Sequence, residues 1–547
     1  MAIRVSKTKY RFASPPWTKA SPRWQALDRQ LPPDHNARII DDFVTHLDLT
    51  ELEDAYRGSG SQAYRPDLIL KIALYETLEG HLKPAAWARH LNDHIPLQWL
   101  AMGSRPSRTA LYNFRDRLGH VIEPLLTDVV ATGQHEGFVE GKQAVLDGSI
   151  IRAQASRHRL LNQARLQKRL GALDDAVEHD GAGQSLPERP GWMAATAQGR
   201  CQQRQRYLEA QAILERRLAD NAQKPKDRRL APEKVMVSVS DPEAPLGRDK
   251  EKVFGPVYTT QFLIEPCSLL IVSFDVFAQA TDAGTLPPML DQSRRILGRT
   301  LDTVIADAGY VSILDLRACA ERGVELIAPV HENDYTQAQK ADTEAQKAKA
   351  KTKKAKTKKA KTKKAKTKKA KTKKAKTKAT APSAAPTEPA IGKDQFTWRP
   401  EAQTYRCPQG HDLQYRRQGR KPRRQGESLV LHEYQCPPEH CRDCPLRARC
   451  VKDPNKGRIV TRAQGEELLE AHRVKMATPE AKALKKIRGQ VIERGFADAK
   501  EHRNLRRLHG RGLNRAKAEI GLVVLAQNAL MLHRLRQKAA STEEVAA

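Results

Sequence analysis

Between Lys347 and Lys378 the chain repeats KTKKA, which places 19 lysines and no acid in one tract. Such a segment has almost nothing to bury against the entropy of ordering its backbone, so no folded domain is expected to run through it. The tract therefore reads as an interruption between folded parts of the chain. The tract also supplies 19 of the +32 net charge, leaving +13 on the remainder. That remainder is still basic, and a polyanionic partner is implied, because Lys and Arg gain affinity by releasing counterions from phosphates. The repeat itself reads as solvated charge, with nonspecific attraction to DNA as a side effect.

At 547 residues the chain is several domain lengths long, and two to four folded units are expected. The N-terminus, MAIRVSKTKYRF, is basic and lacks the apolar stretch of a secretion signal. No run approaches the roughly 20 apolar residues of a membrane span, so a cytoplasmic protein is expected. Of eight cysteines, five fall between Cys407 and Cys450 at short spacings. In a reducing compartment that pattern argues for metal rather than disulfides.

Residues from about 37 to 130 read as helices, with Leu68, Ile69, Ile72, Tyr75 and Leu82 at helical spacing behind Pro66 and Asp67. The segment IPLQWLAMGSRPSRTALYNFRDRL predicts a short helix from Ile95, a Gly-Ser-Arg-Pro turn, and a helix capped by Ser107. Read as a helix-turn-helix variant, it would turn Arg108, Thr109, Asn113 and Arg115 toward DNA; the alternative is a polar face on an ordinary bundle helix.

Around Gln143 the pattern changes to QAVLDGSIIRA, a strand-type run that is expected to end on Asp147 and turn at Gly148. Residues 152–235 read as an Arg-, Gln- and Ala-rich helical insertion. Strands follow at 257–264 and 269–277, joined by a turn at Glu265 to Ser268, then a helix at Leu286 to Leu297 and a strand running into Asp307. A helix near Ile313 to Arg322 and a strand at 324–330 complete an α/β pattern with a mixed sheet. Helical pattern resumes at Thr478-Pro479-Glu480, a capping residue followed by Pro at the first helical position. A last helix begins near Asn514, after Gly510 and Gly512.

Two-metal phosphodiester chemistry needs carboxylates that hold two divalent ions a few ångströms apart. If their strands are neighbours, Asp147 and Asp307 lie side by side, and a helix can bring a third acid. That is the arrangement of the ribonuclease-H-like fold. The bland alternative is a pair of solvated aspartates at strand ends.

In the cysteine segment, the Cys441-Cys444 pair has Cys-x-x-Cys spacing and can bind tetrahedral Zn²⁺ with a second pair of thiolates. Cys407, Cys441, Cys444 and Cys450 form the preferred set, with Cys436 or His411 as alternates. Reduced cysteines without metal are the competing reading. Four thiolates would leave no open position, so a structural role is expected. No GxxxxGK[ST] phosphate loop occurs, and ATP use is not indicated.

Five segments together resemble the DDE transposases of bacterial insertion sequences, in the group with an N-terminal helical domain and a Cys-bearing insertion before the last acid. They are YRPDLILKIALYETLEG, VLDGSIIRA, SDPEA at Ser240 to Ala244, IADAGY, and RGQVIERGFADAKEHRNLRRLHGRGLNRAKAE, in that order. The resemblance implies a catalytic triad of Asp147, Asp307 and Glu493 holding Mg²⁺ (or Mn²⁺), with Lys500 touching DNA phosphate. Glu493 and Lys500 are seven residues apart, about two helical turns, and so share a face. The Tyr and Arg that such enzymes carry four and seven residues before the Glu are Gly489 and Lys486 here, so those roles are not carried over. Arg488, five before it, is a weaker candidate for DNA contact. Asp498 and Glu519 rival Glu493, and Asp302 and Asp315 rival Asp307.

The resulting expectation is an α/β, ribonuclease-H-like mixed sheet with a helical N-terminal domain, a helical insertion and a zinc-ribbon-like insertion. Its parts are a helical DNA-binding domain at 1–135 and the first part of the catalytic domain at 136–330. A Lys-rich linker at 331–395, a zinc-binding insertion at 396–475, and the last catalytic part at 476–540 follow. The implied partners are double-stranded DNA, as element ends and target, and further copies of the chain in a homo-oligomer. The implied place of action is the bacterial nucleoid, with no membrane involved.

Overall fold

In a computed structural model the chain is described at residues 12–330 and 390–546, apart from 57–61, 185–187, 225, 423–427, 452 and 454–455. The KTKKA repeat lies outside the described residues. The chain divides into two compact units, one of residues 1–329 with 474–547 and one of residues 330–473.

Among the described residues, the first unit runs from a two-residue strand, β1 (Phe12–Ala13), into helices α1 (Pro22–Asp28), α2 (Asn36–Thr45) and α3 (Thr50–Asp54). Strand β2 (Ala63–Tyr64), which pairs with β1, leads into α4 (Pro66–Leu78), α5 (Pro84–Asp93), α6 (Ile95–Leu100) and α7 (Arg108–His135). Every residue of α4 except Asp67 is buried, including Glu76 and Lys71, whose ammonium pairs with Asp41 at 2.7 Å. Ser107 caps α7 by accepting from the Ala110 amide at 3.1 Å.

The sheet follows. Strand β3 (Gln143–Arg152) leads through β4 (Leu160–Leu161) into a helical hairpin, α8 (Gln163–Gly181) and α9 (Ala197–Ala222), closed by β5 (Val237–Ser238) against β4. Leu166, Leu170 and Leu173 repeat along one face of α8 and pack with Tyr207, Leu214 and Val237, giving the hairpin its own small core. Strands β6 (Leu246–Arg248), β7 (Phe254–Ile264) and β8 (Ile271–Phe277) come next, then α10 (Leu286–Leu297), β9 (Thr303–Ile305), α11 (Ile313–Glu321) and β10 (Glu325–Ile327).

The path across the sheet is β8–β7–β3–β9–β10, with β6 also on β7. Pairing is antiparallel from β8 to β3 and parallel from β3 to β10. Glu265 closes the β7–β8 hairpin by accepting from the Ser268 hydroxyl at 2.7 Å and the Cys267 amide at 2.9 Å.

In the second unit, β11 (Thr397–Arg399), β12 (Thr404–Arg406), β13 (Asp412–Pro422), β14 (Ser428–Gln435) and β15 (Ile459–Ala463) form an antiparallel meander in chain order. Two short helices, α12 (Pro438–Arg442) and α13 (Arg447–Cys450), separate β14 from β15, and α14 (Glu466–Lys475) follows. Phe396, Tyr405, Leu413 and Tyr434 make the core. The chain ends in the first unit with α15 (Pro479–Glu501), capped by Thr478, and α16 (Leu513–Ala546), which packs along α7, α4 and β8.

One sequence expectation is corrected. Asp147 does not end its strand, and Gly148 is not a turn: β3 continues to Arg152, paired with β7 throughout. What ends near Asp147 is the pairing on its other side, because β9 stops at Ile305.

Candidate active site

The pairs Gln143↔Thr303, Ala144↔Val304 and Val145↔Ile305 fix β3 and β9 in parallel register. Two residues further along both chains stand Asp147 and Asp307. Asp307 has left the strand and caps a short turn, its Oδ1 accepting from the Gly309 amide at 2.7 Å. The guanidinium of Arg488 on α15 reaches both acids: its Nη2 donates to Asp147 Oδ1 at 3.1 Å and to Asp307 Oδ2 at 3.4 Å. One cation thus bridges two carboxylates that otherwise repel.

Burial pushes the Asp147 carboxyl above its ordinary range, opposed by Arg488 and Lys250 and reinforced by Asp307. A further acid, Asp282, lies in the same cluster and was missed by the sequence reading. Its carboxylate accepts from Gln261 at 2.7 Å, and both its burial and the negative charge of Asp307 raise its pKa. The loop between β8 and α10 that carries Asp282 has neither strand periodicity nor a motif, so only the folded chain brings it here. Gly148 makes room for this packing. A Cβ at that position would stand 2.3 Å from Asp282 Oδ1, 2.6 Å from Gln261 Nε2 and 2.7 Å from the Tyr310 hydroxyl.

Helix α15 crosses the sheet at β3, β7, β9 and β10. Gly495 permits the close approach, since a Cβ there would meet Ile264 Cδ1 at 2.6 Å. Lys500 donates to the Ser149 hydroxyl, two residues along β3 from Asp147. Burial, aided by the like charge of Lys250, lowers the Lys500 ammonium to about 8. Position 493 is on α15, one turn before the buried Phe496 and two before Lys500; the Glu493 side chain lies outside the described residues. The rival acids are engaged elsewhere: Asp498 pairs with Arg503 at 3.1 Å, and Glu519 is 1% exposed and accepts from the His509 amide.

At the start of α7, Arg108, Thr109 and Asn113 are exposed. Arg115 is not. It is 3% exposed and turned into the bundle, pairing with Asp116 at 3.0 Å and Glu519 at 3.5 Å, so its expected place on a DNA-facing surface is corrected. Arg115 recurs with Leu111 and Leu118 at i, i+4 and i+7, on the buried face of α7.

In the second unit, Cys407, Cys436, Cys441, Cys444 and Cys450 line one small pocket together with His411 and His440. The turn after β12 folds back on its cysteine, the His411 amide donating to Cys407 Sγ at 3.3 Å. Cys436 is buried beside Cys441, and its thiol is pushed up to about 12. No three of these sulfurs and imidazoles approach within 4.8 Å of one another. The donor set is that of a structural zinc site, but it is spread wider than closed coordination requires.

Residues 406–533 match the family model described as "Transposase DDE domain", and residues 25–117 match "Transposase domain (DUF772)". The first match spans Arg488, Glu493 and Lys500 but neither aspartate; the second runs from within α1 into the first turns of α7. No curated protein and no solved structure matches the chain. Among the described residues, no helix is long and apolar enough to cross a membrane.

Proposed function

We propose, on the premise that two transposase segments occur in one chain consistent with a DDE transposase of an insertion sequence, that this protein cuts the ends of its element and joins them to target DNA. The observation that carries this reading is the parallel register of β3 and β9, which sets Asp147 beside Asp307 beneath a helix carrying Glu493. The order β8–β7–β3–β9–β10 is the arrangement expected of a ribonuclease-H-like sheet.

Asp147, Asp307 and Glu493 would hold Mg²⁺ or Mn²⁺, with Asp282 close by. When bound, such ions activate the attacking oxygen and stabilise the leaving one. Arg488 keeps the carboxylates together and must yield as they take up ions. Lys500 draws a backbone phosphate toward Ser149 and Asp147. Arg108, Thr109 and Asn113 present polar groups to element DNA at the start of α7. The five-cysteine pocket would hold a structural Zn²⁺ in a zinc-ribbon-like insertion once its thiolates draw together, with Cys407, Cys441, Cys444 and Cys450 as ligands and Cys436, buried beside Cys441, or His411 as alternates. The protein would act at the nucleoid, as a homo-oligomer on paired DNA ends.

The test is a nicking and strand-transfer assay with pure protein, Mg²⁺ and DNA bearing the element's ends, with Asp307→Asn as control. Cleavage and joining that both vanish in the variant are the expected result. Cleavage without joining would indicate a nuclease, and binding without cleavage a non-catalytic DNA-binding descendant.

A further inference from the structure

The turn between α4 and α5 gathers three donor groups that the phosphodiester site does not use. Glu76, in the last turn of α4, is 1% exposed. His81 follows the helix end, and His90 comes from α5. The Nδ1 of His81 lies 3.0 Å from Glu76 Oε2, and the Nδ1 of His90 lies 3.0 Å from both carboxylate oxygens. Among the described residues this is the one trio of His, Cys, Asp or Glu whose ligand atoms all fall within 4.8 Å of one another.

The backbone holds the arrangement. Gly80 takes a left-handed conformation, φ 79°, that ends α4 and turns the chain back. The His81 amide donates to Glu76 O at 2.8 Å, and the Trp87 indole donates to His81 O at 2.5 Å. His90 is held in turn by stacking on His94, ring centroids 4.5 Å apart.

A hydrogen-bonded His–Glu–His cluster would account for His90 but not for His81. The His81 Nδ1 is buried and near the carboxylate, yet it has no hydrogen-bond partner of acceptable geometry. A nitrogen close to a carboxylate oxygen but off the donor line is placed to share a cation with it rather than a proton.

We propose that Glu76, His81 and His90 form a second metal site, which binds a divalent transition-metal ion of the Zn²⁺ class through one carboxylate oxygen and two Nδ1 atoms. Two imidazoles and a carboxylate suit such ions and not Mg²⁺, which demands oxygen ligands. The His81 side chain is 42% exposed, which gives the ion an entry path and leaves a fourth position for water. The ion would clip α4 to α5. Arg503, just beyond α15, donates to the Leu78 carbonyl at the end of α4, so the clip also braces the segment following the helix that carries Glu493.

The test is Co²⁺ binding to the full chain with excess Mg²⁺ present to occupy the carboxylate site. Thiolate-bound Co²⁺ shows sulfur-to-metal charge transfer; Co²⁺ on nitrogen and oxygen does not. The expected result is one equivalent of Co²⁺ without sulfur charge transfer, weakened by at least about 10-fold in His81→Ala and in Glu76→Gln, since even ligand-supporting residues cost that much. The sulfur band should be the same in both variants. His81→Ala trims a half-exposed side chain and should remain folded, which circular dichroism checks. Binding of Co²⁺ by thiols alone, or unchanged binding in both variants, would overturn the proposal.

Discussion

Phe496 lies flat on Phe262, ring centroids 4.1 Å apart and planes 3° from parallel. Phe262 is the residue that pairs with Asp147 across β3 and β7, and directly opposed residues share a face, so this stack docks α15 beside the first aspartate. Truncating a buried phenylalanine removes its transfer free energy and leaves a cavity, costing about 3–5 kcal/mol. Phe496→Ala is therefore expected to lower stability by about that much in urea unfolding. It should also depress metal-dependent cleavage under conditions where the protein is still folded, because Arg488, Glu493 and Lys500 ride on the same helix. Normal cleavage by a folded variant would show that the stack does not position the site.

Arg488 and a divalent ion compete for the same two carboxylates. Without ions, Arg488→Ala should destabilise the fold by about 1–3 kcal/mol, because two acids lose their shared partner. Adding Mg²⁺ or Mn²⁺ should then raise the melting temperature more in the variant than in the parent. An equal ion-induced rise in both proteins would mean that Arg488 does not occupy the ions' place.

These two relationships differ in how far the sequence exposed them. Strand-type runs around Asp147 and Asp307 were legible, because a run of apolar β-branched residues has few other uses. The helix start at Thr478-Pro479 was legible for the same kind of local reason, with Thr478 accepting from the Ala481 amide at 3.2 Å. The register that pairs β3 with β9 was not, since it depends on residues about 160 positions apart. Gly148 looked like a turn because glycine usually marks one, whereas here it makes space for Asp282, Gln261 and Tyr310. Asp282 and the Glu76, His81, His90 cluster left no sequence trace, as their partners meet only after the helices and loops have packed. Arg115 shows the converse error: its side chain is charged, yet its pairing with Glu519, 404 residues away, lets it be buried.

Lys500 offers a test of phosphate contact. Lys500→Gln should weaken binding to all DNA sequences alike and make the dependence of log affinity on log salt shallower by about 0.9. The pH dependence has a defined sign. The Lys500 ammonium loses its proton near 8 rather than near 10.5, so its contribution should fade as pH rises through about 8. Parent and variant affinities should converge there. Binding curves taken at several salt concentrations and pH values would check both points; a parent–variant gap that widens with pH would contradict them.

Asp241 predicts a measurable cost of burial. It is 1% exposed, and its Oδ1 accepts from the Tyr258 hydroxyl at 2.8 Å and the Gly512 amide at 3.2 Å. Its Oδ2 is buried with no partner among the described residues. Burial is the leading cause of a carboxyl pushed up to about 6 from 3.8. Between those values the folded chain binds more protons than the unfolded one, so stability falls as pH rises through that window. At about 1.4 kcal/mol per unit, the whole fall is of order 3 kcal/mol. Asp241→Asn keeps the acceptor for Tyr258 and Gly512 and removes the charge. It should flatten this part of the stability profile and make the variant the more stable protein above pH 6. Urea unfolding between pH 4 and 7.5 measures this, and a parent whose advantage over the variant grows with pH would show that the Asp241 charge is compensated in the fold.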